Sequence, residues 1–525
     1  MSPNGEGSPS PLRGSGVGFQ PSSQSSHSFL SAKRVTLRVE NNFTHVIQAE
    51  PFILDVLNKE LRYPTAVAHA RDAGFLSPED ESGNSWDGWV RLFVVTKTLP
   101  PRFPSGLLTQ VVRICEKFGY LVVVDDVRQR PEQGFPELVD VPLRDYQKTA
   151  VDSAVKSGMG VLDMPPRAGK TRTMVEIVRQ IALQTLWIAP TDRIVRQTCR
   201  VIEGFLGKNF VTHQVGGAAT DAKHTNIVCC TAATAVKLSP DFFQTREVLV
   251  VDEWHHAAAK SYKDIFKKAE HIYYRFGMTG TFFRSGDDAM AMHAHLSNTI
   301  FKISSTELLA RGHVVPTDVC FVPVLSKKLR GVSSDFQTGH GKHGIQEHRE
   351  RNQHVVHATV ILQRMGKKVL VLVGTKKQGR LLKSMLDAFV FNPDGTEFDA
   401  VEFVSTDTDR GIQTRIIDAF VQTDEVKVLI GTSLLGEGVD LPTVDALVYA
   451  RGERAEVTLT QNAYRVCTAN EGKERAIIVD FADRHHRKLL GHSMERLRVY
   501  NDDPVFNVTV LTEPQEFLKW AQQRP

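Results

Sequence analysis

Six cysteines, at 115, 199, 229, 230, 320 and 467, are few for 525 residues, and none forms a C-x-x-C pair. That spacing suggests neither a zinc site nor a disulfide framework, and buried thiols are the expectation. Long apolar runs are missing too: no stretch approaches the roughly 20 residues that a bilayer-spanning helix needs. Before Lys33 the only basic residue is Arg13, which gives neither a charged-then-apolar signal nor an arginine-rich presequence, so a cytoplasmic setting is expected. Charge of one sign is also scarce. The 64 Lys and Arg against 60 Asp and Glu leave a net charge of +4, which does not decide for or against nucleic acid, because a groove can be basic on a nearly neutral protein. What is present is 41% hydrophobic residues over a length suited to about three to four domains.

Composition divides the chain. Of the first 30 residues 18 are Ser, Gly or Pro, too polar to offset the entropy of ordering, so 1–33 reads as a disordered tail. Residues 34–140 form a small α+β unit, with strands expected at the alternating Val35, Leu37, Val39 and at Leu121 to Val124. In 141–320, strands at 186–189, 227–230 and 248–251 alternate with helical stretches. A linker follows at 321–348, rich in Ser, Lys and Gly. Residues 349–525 repeat the scheme with strands at 369–373, 401–404, 426–430, 446–449 and 477–479. The fold class is therefore α/β: two tandem parallel-sheet domains behind a small α+β domain and a tail.

Two segments carry chemistry. Residues 164–171 read Met-Pro-Pro-Arg-Ala-Gly-Lys-Thr, after a strand at Val161-Leu162 and before a helix at about 171–182. Backbone N–H groups from Arg167, Ala168 and Gly169, with the Lys170 amine, can surround the β- and γ-phosphates of ATP, and the helix points its positive end at them. The usual first Gly is Met164 here, so the loop alone could be a surface turn. The aliphatic run Val248 to Val251 delivers Asp252-Glu253-Trp254-His255; such an acid pair alone could be a solvated helix cap. Their order and separation, each after a strand, favour a nucleotide site in which Thr171 and Asp252 share a Mg²⁺.

Further segments follow in a fixed order. Leu143-Arg144-Asp145-Tyr146-Gln147 precedes the loop; Ala189-Pro190-Thr191, Gly216-Gly217, Cys230-Thr231-Ala232 and Thr279-Gly280-Thr281 flank the acids. Val373-Gly374-Thr375, Gly431-Thr432-Ser433, Gly436 to Asp440 and Gln461 to Arg465 complete the series. Over roughly 143–483 the chain resembles the superfamily 2 DExH helicases. Trp86 to Phe93 and Phe103 to Leu108 are similar to the accessory domain of UvsW-type phage helicases and of members near the XPB branch, which implies that 34–140 is a DNA-binding domain that helps grip branched or duplex DNA, and that the setting is a bacterial or phage-infected host cell.

The resemblance implies two RecA-like domains and an ATP-dependent helicase or translocase that remodels duplex or branched DNA in repair, recombination or replication, with RNA a less favoured partner. It assigns Arg144 and Gln147 to adenine, and Arg167, Ala168, Gly169, Lys170, Thr171, Asp440 and Gln461 to the nucleotide. Glu253 orients the attacking water, while Lys170 and Arg465 supply cations. Thr191, Gly217, Thr231, Thr375 and Thr432 hold a strand's phosphates; His255, Thr279 and Thr281 couple the two sites. Each Thr alone also reads as an ordinary strand-end cap, and Trp86 and Trp89 as core aromatics.

One departure stands out. The last motif reads Gln461-Asn462-Ala463-Tyr464-Arg465-Val466-Cys467-Thr468, with Tyr464 where the family carries Gly and Thr468 where it carries a second arginine. A missing arginine finger costs about 10³–10⁵ in rate. This leaves two alternatives open: a nucleotide-gated nucleic-acid-binding protein with little turnover, and a motor subunit of a larger defence or restriction complex. Arg454 and Arg475 are the other candidates for the absent cation.

Overall fold

The computed structural model describes residues 33–65, 67–69, 87–132, 141–214, 225–254, 260–280, 289–329, 331–333, 335–390, 399–423, 425–432, 441, 443–454 and 456–524. The tail at 1–32, Trp86, Gly216, Gly217, His255, Thr281 and Gly436 to Asp440 lie outside them.

The first unit is a four-stranded sheet in the order β5-β2-β1-β6, with β1 at Arg34–Val39, β2 at Phe43–Gln48, β5 at Arg102–Pro104 and β6 at Leu121–Asp126. A separate pair, β3 (Arg62–Pro64) and β4 (Trp89–Arg91), is antiparallel. The alternation read at Val35, Leu37 and Val39 is real: all three are fully buried. Trp89 is half-buried under the Arg62 guanidinium, 4.4 Å from its ring.

The second unit is a seven-stranded parallel sheet ordered β13-β7-β12-β11-β8-β10-β9. Its strands are β7 (Met159–Asp163), β8 (Thr185–Ala189), β9 (Val211–Gln214), β10 (Ile227–Thr231), β11 (Val248–Val251), β12 (Tyr274–Thr279) and β13 (Thr299–Lys302). The third unit repeats the design as β16-β17-β15-β18-β19-β14-β20. Here β14 is Thr317–Val324, β15 Val369–Leu372, β16 Val401–Val404, β17 Val428–Gly431, β18 Ala446–Tyr449, β19 Ala476–Asp483 and β20 Phe506–Val510. Central strands such as Val-Leu-Val-Val in β11 and Val-Leu-Val-Leu in β15 are buried at every position, because helices cover both faces of a parallel sheet. The fold is α/β, with two RecA-like domains in tandem.

The expected boundary at 320/321 needs correction. It cuts through β14, all eight residues of which are buried between β19 and β20 of the third unit. The stretch 321–348 is thus not a free linker: it opens with the end of a central strand and includes a turn of π-helix, Lys342–Gln346.

The accessory unit is docked on the first motor sheet. The Asn41 side-chain amide donates to the His271 carbonyl (2.6 Å), Arg275 donates to the Asn42 side chain (3.2 Å), and Arg130 donates to the Tyr274 hydroxyl (2.6 Å). No helix among the described residues is long and apolar enough to cross a membrane.

Candidate active site

In a parallel α/β sheet, ligands gather at the carboxyl ends of the strands, where loops lead into helix N-termini. β7 ends at Asp163, and the loop that follows enters the helix Lys170–Ile181. Two residues before the helix take left-handed backbone: Arg167 at φ 71° and Gly169 at φ 78°. A side chain on Gly169 would also meet the Gln147 amide, 2.3 Å from an ideal Cβ. The loop is braced from beneath. Tyr146 Oη and Gln147 Nε2 both donate to the Ala168 carbonyl, at 3.0 and 2.9 Å, and Gln147 Oε1 accepts from the Arg144 N–H (2.9 Å).

The Lys170 amine donates to the Met164 carbonyl (3.2 Å) and lies 2.4 Å from the place a Cβ would occupy on Gly280. Gly280 therefore clears room for the lysine, and the Thr279 carbonyl beside it accepts the Met164 N–H (3.0 Å). β11 ends at Val251, and the next two residues carry the acids. Asp252 is buried; burial first, and the neighbouring Glu253 charge second, push its carboxyl well above the usual range, while Lys170 pulls the other way. Glu253 is held at φ 46° and its N–H donates to Asp252 Oδ1 (2.9 Å).

The second motor domain closes this site. A cleft of about 760 Å³ is lined by Arg144, Gln147, Arg167, Gly169, Lys170, Thr171, Asp252 and Glu253 from one side and by Gln461, Arg465 and Thr468 from the other. Gln461 Nε2 donates to Glu253 Oε1 (3.3 Å), and Arg167 Nε donates across the cleft to the Tyr464 carbonyl (3.3 Å). The Arg167 side chain is thus a bridge between the domains. Ala168 differs from the expectation for its N–H: that group donates to the Pro165 carbonyl (3.2 Å), the residue is fully buried and its carbonyl is engaged by Tyr146 and Gln147, so it braces the loop and does not line the cleft.

The substitutions in the last motif have a structural account. Tyr464 is buried in the second motor domain, donates to Asp503 (2.7 Å) and packs edge-on against Phe506. Thr468 donates to the Arg465 carbonyl (3.2 Å) and pairs with Val314 in the chain joining the motors. Arg454 and Arg475 are held by Glu495 (3.0 Å) and Asp318 (2.6 Å), away from the cleft.

The candidate strand-holding threonines occupy one kind of position. Thr191, Thr231 and Thr375 follow or end β8, β10 and β15, and each accepts the N3 amide of the next helix at 3.3 Å; Thr432 follows β17 and is buried. They are helix caps as well as strand-end groups. Sequence reasoning missed Arg172, Gln197, Thr198, Arg200 and Phe205 on the near wall of the cleft and His313 against Tyr146. They sit on helical faces and in the crossover, with no motif to mark them.

Two parallel-sheet domains, a phosphate loop on the first, an acid pair at the next strand end and an arginine-bearing helix from the second define a two-domain P-loop ATPase. Comparison with known proteins agrees. Residues 140–284 match the family of the type III restriction enzyme res subunit, and residues 350–470 match the helicase conserved C-terminal domain. The chain is similar to the ATP-dependent DNA helicase uvsW of Enterobacteria phage T4, 23% identical over 83% of this chain and 92% of that protein. It is also similar to the DNA 3'-5' translocase XPB2 of Sulfurisphaera tokodaii, 23% identical over 66% of this chain and 82% of the relative. The fold is shared with a solved ATP-dependent type ISP restriction-modification enzyme, LlaBIII, at a TM-score of 0.53 and 14% identity over 79% of this chain and 36% of that one. The chain carries this pair of helicase domains, resembles the UvsW and XPB members of the superfamily 2 helicases, and is an ATP-hydrolysing enzyme.

Proposed function

We propose that this ATPase translocates on DNA and remodels duplex or branched DNA in repair, recombination or replication. The observation that carries the reading is the contact between Gln461 and Glu253, which joins a group of the second motor domain to an acid of the first. Opening or closing the cleft then changes the ATP site and the spacing of the strand-end threonines together.

The roles follow from phosphoryl-transfer chemistry, which is mostly positioning and charge stabilisation. Lys170 and the loop amides hold the β- and γ-phosphates. Glu253 orients the attacking water, and Arg465 stabilises charge developing on the departing phosphoryl group. The Asp252 carboxylate, crowded by Glu253, and the Thr171 hydroxyl would hold a hard dication such as Mg²⁺, which would supply charge neutralisation for the phosphates. Thr191, Thr231, Thr375 and Thr432, at strand ends of both motor domains, serve as backbone-phosphate contacts that read no sequence.

The deciding experiment measures ATP hydrolysis with no DNA and with single-stranded, duplex and branched DNA. Stimulation by DNA, greatest with branched or duplex forms, and its loss in Glu253→Gln with DNA binding kept, are expected. A rate indifferent to every DNA form contradicts translocation. That result favours the nucleotide-gated binder, a reading that draws on Thr468 standing on the cleft wall where the family places an arginine.

A further inference from the structure

The stretch Phe103 to Leu108, singled out by its resemblance to an accessory domain, has a specific place in the fold. Its short 3-10 turn, Ser105–Leu107, lies against the end of the helix Ala289–Leu296. The approach is close enough to require glycine: a Cβ on Gly106 would stand 2.1 Å from the His293 carbonyl oxygen and 2.6 Å from that of Ala294.

Three successive residues of that helix then face two different cores. Ala294 is buried in the apolar core of the accessory unit, with Leu37, Phe103 and Leu107. Leu296 is buried in the core of the first motor domain, with Trp254 and Phe266. Between them, His295 stacks on Phe266 with ring centroids 4.4 Å apart and planes 4° from parallel, and Phe266 meets Trp254 edge-on at 6.3 Å. Burial holds the His295 pKa down to about 4, so the stack is neutral at physiological pH. Leu296 and Trp254 also share the space over Gly277 of β12, at 2.7 and 3.2 Å from its ideal Cβ.

Trp254 is the residue after Glu253. Its ring is fully buried, so it cannot shift without repacking, and Glu253 before it is fixed at a positive φ that few residues adopt. The carboxylate of Glu253 is therefore positioned from behind by packed rings. We infer that His295, Phe266 and Trp254 form a positioning relay through which the accessory domain, when it grips DNA, sets the placement of Glu253 and so the rate of hydrolysis. The inference rests on the proposed role of Glu253 and on the DNA grip that the resemblance implies for the accessory domain, and adds a regulatory input to that site. None of the three rings touches the nucleotide cleft by itself; they act through the residue before Trp254.

A common position in space does not prove coupling, so the test is a double-mutant cycle on the full chain. His295→Leu removes the stacking ring and keeps apolar bulk; His295→Phe keeps the ring; Gly106→Ala forces a methyl between the accessory turn and the helix. Steady-state ATP hydrolysis is measured with and without a synthetic three-way DNA junction, after thermal melts establish that each variant is folded. His295→Leu should lower DNA-stimulated kcat by about fivefold or more, a typical size for coupling between sites. KM for ATP should stay within about twofold, and His295→Phe should restore the rate. Gly106→Ala should cut stimulation by a similar factor and leave the DNA-free rate unchanged, and the double variant Gly106→Ala/His295→Leu should be no slower than the worse single. Losses that multiply in the double variant, or His295→Phe as impaired as His295→Leu, overturn the relay while leaving the ATPase reading intact. If His295→Leu does not fold, the comparison of His295→Phe and Gly106→Ala with wild type still decides: a slow His295→Phe, or normal stimulation in Gly106→Ala, refutes it. A wild type that hydrolyses ATP at the same rate with and without DNA strikes the proposed function itself and takes the relay with it.

Discussion

The two motor sheets are built alike and treat charge at their strand ends in opposite ways. In the second, β19 carries Asp480 and Asp483, and each meets a fully buried arginine: Arg496 at 2.9 Å from Asp480, Arg351 at 2.7 Å from Asp483. Both guanidinium groups also donate to backbone carbonyls, Arg496 to Gly452 and Arg351 to Ala450. In the first sheet, β11 leads to Asp252 and Glu253, where two acids stand side by side and Lys170, tethered to the Met164 carbonyl, supplies the opposing charge. The same architecture thus neutralises itself at one site and leaves room for an external charged ligand at the other. Charge completed within the fold is structural; charge left to a ligand is functional.

Substitutions can break this contrast. The largest effect is expected at the functional end. Lys170→Ala removes the cation beside the acids and should lower ATP hydrolysis by about 10³-fold or more, comparable with loss of other phosphate-stabilising cations. Its melting temperature should move by less than about 3 °C, since the lysine lines a cleft and supports no core. Normal turnover in this variant would falsify the nucleotide site.

Arg351→Met does the reverse. It leaves buried Asp483 with only the more distant Arg496, at 3.9 Å, and should cost about 3–5 kcal/mol in urea unfolding, with much of the loss recovered in the double variant Arg351→Met/Asp483→Leu. An Arg351→Met protein as stable as wild type contradicts the structural assignment of the pair. Asp252→Asn sharpens the contrast from the other side. Because the folded protein disfavours this ionised carboxyl, its removal should leave stability unchanged or raise it by up to about 1 kcal/mol, while abolishing turnover. A destabilisation as large as that of Arg351→Met would mean that the acids of the first sheet are also structural.

The smallest effect is expected at Thr468. An arginine there would enter the cleft wall beside Arg465, so Thr468→Arg should raise DNA-stimulated turnover by up to about tenfold or leave it unchanged. A fall in turnover, with folding intact, would show that the threonine's link to Val314 and the Arg465 carbonyl matters more than an added charge.

Much of this arrangement is legible in the chain because buried parallel strands appear as unbroken aliphatic runs. β11 and β15 are of that kind, and so the loops after them can be located from sequence. The misplaced boundary at β14 has a physical cause. Thr-Asp-Val-Cys-Phe-Val-Pro-Val contains an acid and a proline, which argue against a central strand. Asp318 is accommodated by Arg475 and Arg524, and Pro323 falls beyond Phe321, where pairing with β20 ends. β13 and β20 escaped notice because edge strands are partly exposed and lack a clean pattern. At the site, the loop, the acids and the second domain's Gln461 and Arg465 are legible as motifs. The bridge from Arg167 to Tyr464 and the docking of Gly106 are not, because each depends on a contact between residues more than 180 positions apart.

The central claim is that one ATP site is completed by both motor domains. Its most direct test is steady-state ATP hydrolysis by Arg465→Ala at saturating DNA, set beside equilibrium binding of a fluorescent ATP analogue. On the proposed role of Arg465, stabilising charge that develops in the transition state, turnover should fall by about 10³-fold or more while analogue affinity stays within about threefold of wild type. Wild-type turnover in Arg465→Ala would contradict the account, because the first motor domain would then hydrolyse ATP without the arginine of the second.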